Sequence, residues 1–152
     1  VTAVDKLANQ AWEAMLTAHA RLIREFEAED VWGDVGIRGY DVLYTLAKQP
    51  GPIRMGELGE TVLLSQPGLS RLVDRLVQRG LVRRSTDPAD RRLVLVCLTD
   101  AGAERQRAIG RQHARSVARA MAPLDATELQ RLRAIASKLA QPTEPESKRA
   151  FA

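Results

Sequence analysis

Seven arginines and three aspartates lie between Arg71 and Arg92, a net +4 that equals the formal charge of the whole 152-residue chain. Arginine outnumbers lysine 19 to 4. A guanidinium grips phosphate oxygens and guanine edges with two parallel N–H donors, which lysine cannot do. Basic character concentrated in one stretch is the footprint of a nucleic-acid contact rather than a background property. The stretch has two halves. Arg71, Arg75 and Arg79 recur at helical spacing within Ser65–Gly80, and Arg91 and Arg92 adjoin the polar run Thr86-Asp87-Pro88-Ala89-Asp90.

The first half predicts a helix. Ser65 is a good N-cap, Pro67 is tolerated in a first turn, and Gly80 suits a left-handed C-terminal residue. Leu69, Leu72, Val73, Leu76 and Val77 form its apolar side. The other side carries Gln66, Pro67, Ser70, Arg71, Asp74, Arg75 and Gln78. A helix with one apolar and one small, positive side can lie in a DNA major groove. Its N-terminal N–H groups and dipole favour phosphate. Gln66 and Ser70 let the backbone approach base edges, and Pro67 offers a thymine methyl an apolar contact. Arg71 is the candidate guanine reader. Arg75 and Arg79 are placed for phosphates or internal ion pairs. Asp74 is the misfit, repelling phosphate unless Arg71, Arg75 or Gln78 engages it.

The second half predicts a hairpin, with strands from Leu81 to Ser85 and from Arg92 to Leu98. An arginine at such a tip suits a narrow, electronegative minor groove. Asp90 is spaced to brace Arg92 in an extended pose, with Arg91 beside it. The second strand is apolar almost throughout, which predicts cover on both faces.

Other elements must hold this pair. Helices are expected from Asp5 to about Glu29, from about Arg38 to Lys48 with Tyr40, Leu43, Tyr44 and Ala47 on one side, and from Glu57 to Leu63. The last has no evident N-cap, and Gly59 costs it about 1 kcal/mol relative to Ala. Gln49-Pro50-Gly51-Pro52 is a firm stop. A long fifth helix should open at Thr99 or Asp100 and run to about Met121. A sixth follows Pro123, where Asp125 and Glu128 have capping-box spacing. Three helices and then a hairpin make a winged helix-turn-helix (about residues 37–99). The class is mainly α with a small β-hairpin wing, within a single domain over residues 1–140. The flanking helices, about 3–30 and 100–140, carry more apolar stripe than a small winged core can bury, so they are expected to dimerise. Residues 141–152 are rich in Pro, Glu, Ser and Lys and read as a flexible tail.

Other chemistry is sparse. One cysteine, Cys97, excludes an intramolecular disulfide and a zinc-finger framework. Inside an apolar strand it reads as a buried, inert thiol. His19 and His113 have no metal-ligand spacing with it and read as surface or interface residues. No phosphate loop or catalytic triad is present, no cofactor is implied, and no enzyme is expected. No apolar run reaches bilayer length and no signal-peptide pattern appears, so the expected location is cytoplasmic. A winged helix that binds protein rather than DNA is the alternative. Arg71, Arg91 and Arg92 argue against it.

Ser65-Gln66-Pro67-Gly68-Leu69-Ser70-Arg71-Leu72-Val73-Asp74-Arg75-Leu76, Arg79-Gly80-Leu81-Val82-Arg83-Arg84 and Asp87-Pro88-Ala89-Asp90-Arg91-Arg92, followed by Leu98-Thr99 and Gly102, together resemble the MarR family of bacterial transcription regulators. The resemblance spans nearly the whole chain. It implies a homodimer built from the first, fifth and sixth helices. Two-fold symmetry then implies a palindromic double-stranded DNA operator, with recognition helices roughly 34–36 Å apart. It also implies repression by promoter occlusion, relieved by a small anionic, often aromatic, effector in a crevice between dimer helices and head. Trp12, His19, Tyr40, Tyr44, Asp74 and Arg84 are the candidates to line it. Trp12 and Asp74 are similar to a pair used by urate-responsive members. The plainer reading of Trp12, Met15 and His19 is packing at the dimer interface.

Overall fold

The computed structural model describes residues 2–62 and 66–141, with the side chain of Gln66 excepted. The expected N-cap Ser65 and the expected tail beyond Gln141 lie outside them. The chain forms two compact units, Val1–Ser116 and Val117–Ala152.

In the first unit, α1 (Ala3–Glu27) begins two residues earlier than expected. Thr2 and Asp5 form a capping box, with Asp5 N–H donating to Thr2 Oγ1 at 3.1 Å and Thr2 N–H to the Asp5 carboxylate at 2.6 Å. These bonds hold the Asp5 carboxyl below its ordinary pKa. A 3-10 turn (Asp30–Trp32) and two left-handed glycines, Gly33 and Gly36, redirect the chain into α2 (Gly36–Ala47). The buried side of α2 is Gly39, Tyr40, Val42, Leu43 and Leu46, rather than the expected Tyr40, Leu43, Tyr44 and Ala47. Tyr44 is exposed because it sits one position further round the helix than Leu43.

The two-residue strand β1 (Ile53–Arg54) was not expected. It is too short to show alternation. It leads into α3 (Met55–Thr61), whose N-terminus the sequence left uncapped. The Glu57 carboxylate reaches back to accept from Arg54 N–H at 2.8 Å. Next come α4 (Gln66–Gln78), β2 (Val82–Thr86) and β3 (Val94–Leu98). The sheet is antiparallel in the order β1-β3-β2, with Ile53 opposite Val96 and Val82 opposite Leu98. Although β3 is central, only Val96 is fully buried and Val94 is exposed. The expectation of cover on both faces is thus corrected, since exposure rises toward the hairpin turn, where Val94 is 41% exposed. Leu43, Leu58, Leu69, Val73, Leu76, Val82 and Val96 make the head's core, all at most 2% exposed.

Two devices join α4 to α5 (Asp100–Ala120). Gly80, at φ +70°, ends α4 as a Schellman motif. Leu81 N–H bonds to Leu76 C=O and Gly80 N–H to Val77 C=O, both at 2.9 Å. Thr99 then caps α5, its hydroxyl accepting from Gly102 N–H at 3.0 Å and donating to Gly80 C=O at 2.5 Å. A Cβ on Gly102 would lie 1.9 Å from the Leu81 carbonyl oxygen, so only glycine fits there. The Leu-Thr-x-x-Gly spacing is therefore a packing requirement.

The second unit holds the end of α5 and α6 (Ala126–Leu139), opened by the expected Asp125–Glu128 capping box. No described helix is long and apolar enough to cross a membrane.

Candidate nucleic-acid interface

The two sides of α4 follow the predicted periodicity, except that Ser70 and Val77 are half-buried. Pro67, Arg71, Asp74, Arg75 and Gln78 are exposed, while Leu69, Leu72, Val73 and Leu76 are buried. Arg71 and Arg75 make no ion pair among the described residues, so both guanidiniums face outward uncommitted. Ser65 and the side chain of Gln66 fall outside the described part.

Asp74 is neutralised, but by none of the three residues expected. Arg84 reaches across from β2 and places Nη1 2.8 Å from the Asp74 carboxylate. Its Nη2 also donates to the carbonyl and hydroxyl oxygens of Ser70, at 3.3 and 3.4 Å. One wing residue thus pins the outer side of the recognition helix at two successive turns. It removes a charge that would repel phosphate without engaging Arg71 or Arg75. Arg79 instead pairs within the protein, with Asp34.

The hairpin tip is built by carboxylates. Asp87 accepts from Ala89 N–H at 2.8 Å and from Arg54 Nε and Nη2 at 3.3 and 3.2 Å. The Ala89 bond first, and the Arg54 guanidinium second, hold the Asp87 carboxyl below its ordinary pKa. Asp90 accepts from Arg92 N–H at 3.0 Å and from Arg92 Nε at 3.4 Å, the expected brace. The strands stop short of the tip, so Arg91 and Arg92 stand in the turn rather than at the start of β3. The Arg92 side chain is 92% exposed. Arg54 and Asp87, which hold the wing, were missed as site residues. Asp-Pro-Ala is a recognisable Asx-turn signal, but Arg54 lies 33 residues away. Between α4 and the wing lies a cleft of about 320 Å³ lined by Arg54, Ser70, Arg84, Arg92 and Leu93.

The six effector candidates are not gathered into one cavity. Trp12 is 55% exposed on α1. His19 lines a cavity of about 220 Å³ with Ile23, Ile37, Arg38 and Asp41. Tyr40 and Tyr44 stack with ring centroids 5.9 Å apart, forming a wall of a cleft of about 430 Å³ opposite Arg107 and Arg111. Lys48 Nζ stands 4.0 Å from the Tyr44 ring centre. Burial pushes the Tyr40 hydroxyl pKa up. Asp74 and Arg84 are paired to each other at the head. His113 is half-buried and joins an aromatic cluster, with ring centroids 4.8 Å from Trp32 and 5.0 Å from Phe26. Cys97 is half-buried rather than buried, its Sγ 3.6 Å from Arg83 Nη2, because one face of β3 is open.

A family profile described as the MarR family matches residues 35–93, from the start of α2 through the turn of the wing. The chain is 30% identical over 111 residues to the uncharacterised HTH-type transcriptional regulator YhbI of Bacillus subtilis, covering 73% of this chain and 71% of YhbI. The crystal structure of AbsC, a MarR family transcriptional regulator from Streptomyces coelicolor, superposes with a TM-score of 0.75 at 26% identity, covering 92% of this chain and 94% of AbsC. The PcaV transcriptional regulator from the same organism, solved in complex with its natural ligand, superposes with a TM-score of 0.64 at 28% identity over 92% and 96% of the two chains. With an outward arginine helix and a braced arginine wing on a matching fold, the chain belongs to the MarR family of transcriptional regulators.

Proposed function

We propose that the chain acts as a homodimeric repressor of a palindromic operator, with Arg71 reading a guanine, Arg75 meeting phosphate and Arg92 entering a minor groove. The observation that carries this is the division of labour among charges. Asp74 is satisfied by Arg84, which fixes shape, Asp90 braces the exposed Arg92, and Arg71 and Arg75 remain uncommitted. Dimerisation is supported by apolar side chains left in water. They include Leu7, Trp12, Met15 and Leu16 on α1, and Leu132, Ile135 and Leu139 on α6, each 45–68% exposed. Fully burying such side chains yields about 1.5–3 kcal/mol each.

The same reading assigns the effector to the Tyr40–Tyr44 cleft. Stacked rings offer a planar ligand a face, and Lys48, Arg107 and Arg111 favour an anion, so a small aromatic acid is the expected class. The protein works by binding rather than catalysis, in the cytoplasm where its operator lies. A mobility-shift titration of the DNA upstream of its own gene tests the reading. Specific binding should weaken in Arg71→Ala and in Arg92→Ala and be released by benzoate-type acids. Binding untouched by both substitutions would refute the assignment.

A further inference from the structure

We propose that Asp34 is a positioning residue that sets the angle of the recognition helix against α5, and through it the spacing between half-sites. Its carboxylate is shared. Arg105 of α5 places Nη2 2.8 Å from Oδ1, and Arg79, immediately after α4, places Nη1 3.6 Å from Oδ2 and donates to the Asp34 carbonyl oxygen. The turn bearing Asp34 is itself anchored. Trp32 is 3% exposed with its Nε1–H donating to Phe26 C=O at 2.5 Å, and the buried Val35 donates its N–H to Trp32 C=O at 3.2 Å. Gly33, at φ +52°, turns the chain beneath Arg105, where a Cβ would lie 3.1 Å from Nη2.

The end of α4 is already tied to the start of α5 where Thr99 and Gly102 close on Gly80 and Leu81. One attachment fixes a point, about which a helix can still swing. Off that axis, His113 of α5 packs on Trp32 and Phe26, and the Asp34 junction, on the same anchored turn, ties the end of α4 itself to α5. Without the carboxylate, Arg79 and Arg105 become two cations facing one another across a short gap, and the helix end is pushed outward. All three side chains are 39–60% exposed, so the junction adds little to folding stability. Its effect belongs in geometry. In a dimer, a small swing in each head adds up across the operator.

The claim about spacing rests on the homodimeric reading. The test uses the full chain, wild type and Asp34→Asn, with an operator duplex selected by the wild-type protein. Three probes are compared: that duplex, the same duplex with one base pair inserted between half-sites, and an isolated half-site. Asp34→Asn should weaken the selected duplex by about tenfold, because each of two heads is then only partly held at the binding angle. It should change half-site binding by less than about twofold and shrink the penalty for the insertion, while Asp34→Glu restores much of the loss. Equal losses on half-site and full duplex, or an unchanged insertion penalty, would overturn the proposal and leave the dimer intact. A wild-type protein indifferent to spacing would overturn both.

Discussion

The head and the arms obey the same helical periodicity with opposite outcomes. In α4 the apolar side is sealed, with Leu69, Leu72, Val73 and Leu76 at most 5% exposed, and the polar side faces out. Along α1 only Phe26 is buried, and Leu7, Trp12, Met15 and Leu16 stand in water. On α6, Leu129, Leu132, Ile135 and Leu139 do the same. The head therefore buries its apolar side within one chain, and the flanking helices α1 and α6, the arms, leave theirs exposed, the basis of the proposed dimer. An amphipathic stripe reports that a face will be buried; it does not report whether the cover comes from the same chain.

The largest effect should come from breaking the arms. Leu132→Asp with Ile135→Asp, or Leu7→Asp with Met15→Asp, should give monomers in sedimentation velocity and weaken operator binding more than about 100-fold, since four apolar burials are lost per dimer. The head itself should stay folded by circular dichroism. Dimers that survive both pairs would show that these stripes are not the interface.

Within the head, Arg71→Ala should cost about 1–3 kcal/mol, roughly 5–150-fold in operator affinity. A smaller loss is expected for Arg92→Ala. Asp90→Ala should fall below that, because the guanidinium remains and only its brace is gone. Fluorescence anisotropy ranks the three. Asp90→Ala weakening binding more than Arg92→Ala would show that the carboxylate has a role beyond bracing.

The smallest effect concerns acid. The Asp87 carboxyl is held below its ordinary value of 3.8, chiefly by the Ala89 N–H. A depressed carboxyl contributes its stabilisation fully above the unfolded value and loses it as pH falls through the folded one. The wing should thus keep its shape at neutral pH and loosen only below about pH 4. The Asp87 carboxyl carbon, followed by NMR, should titrate below the same residue in a short peptide. A midpoint at or above the peptide's would contradict the bonded turn.

The helix order, the Gly80 stop, the Asp125 cap and the Asp90 brace were all legible in the sequence, because each depends on residues within a few positions of one another. What escaped were the contacts between distant residues. Arg84 reaches Ser70 and Asp74 across the gap between strand and helix. Arg54 meets Asp87 from 33 residues away, and Asp34 joins partners 45 and 71 residues off. Charge spacing along one chain names the candidates for an ion pair but not the pairs that folding brings together. The misfit Asp74 shows this best. Its neighbours on the helix were the natural suspects, yet the neutralising arginine came from the wing.

On the proposed reading, α4 reads bases through Arg71, while Arg75 meets the backbone and Arg84 holds the helix in place. The most direct measurement is operator affinity of wild type and Arg71→Ala across duplexes in which each guanine of a half-site is replaced in turn. One replacement should weaken wild-type binding by about 1–3 kcal/mol and leave Arg71→Ala indifferent, since the contact is already gone. If Arg71→Ala binds more weakly but keeps every base preference, Arg71 touches only the backbone, and the head does not read DNA in the way proposed.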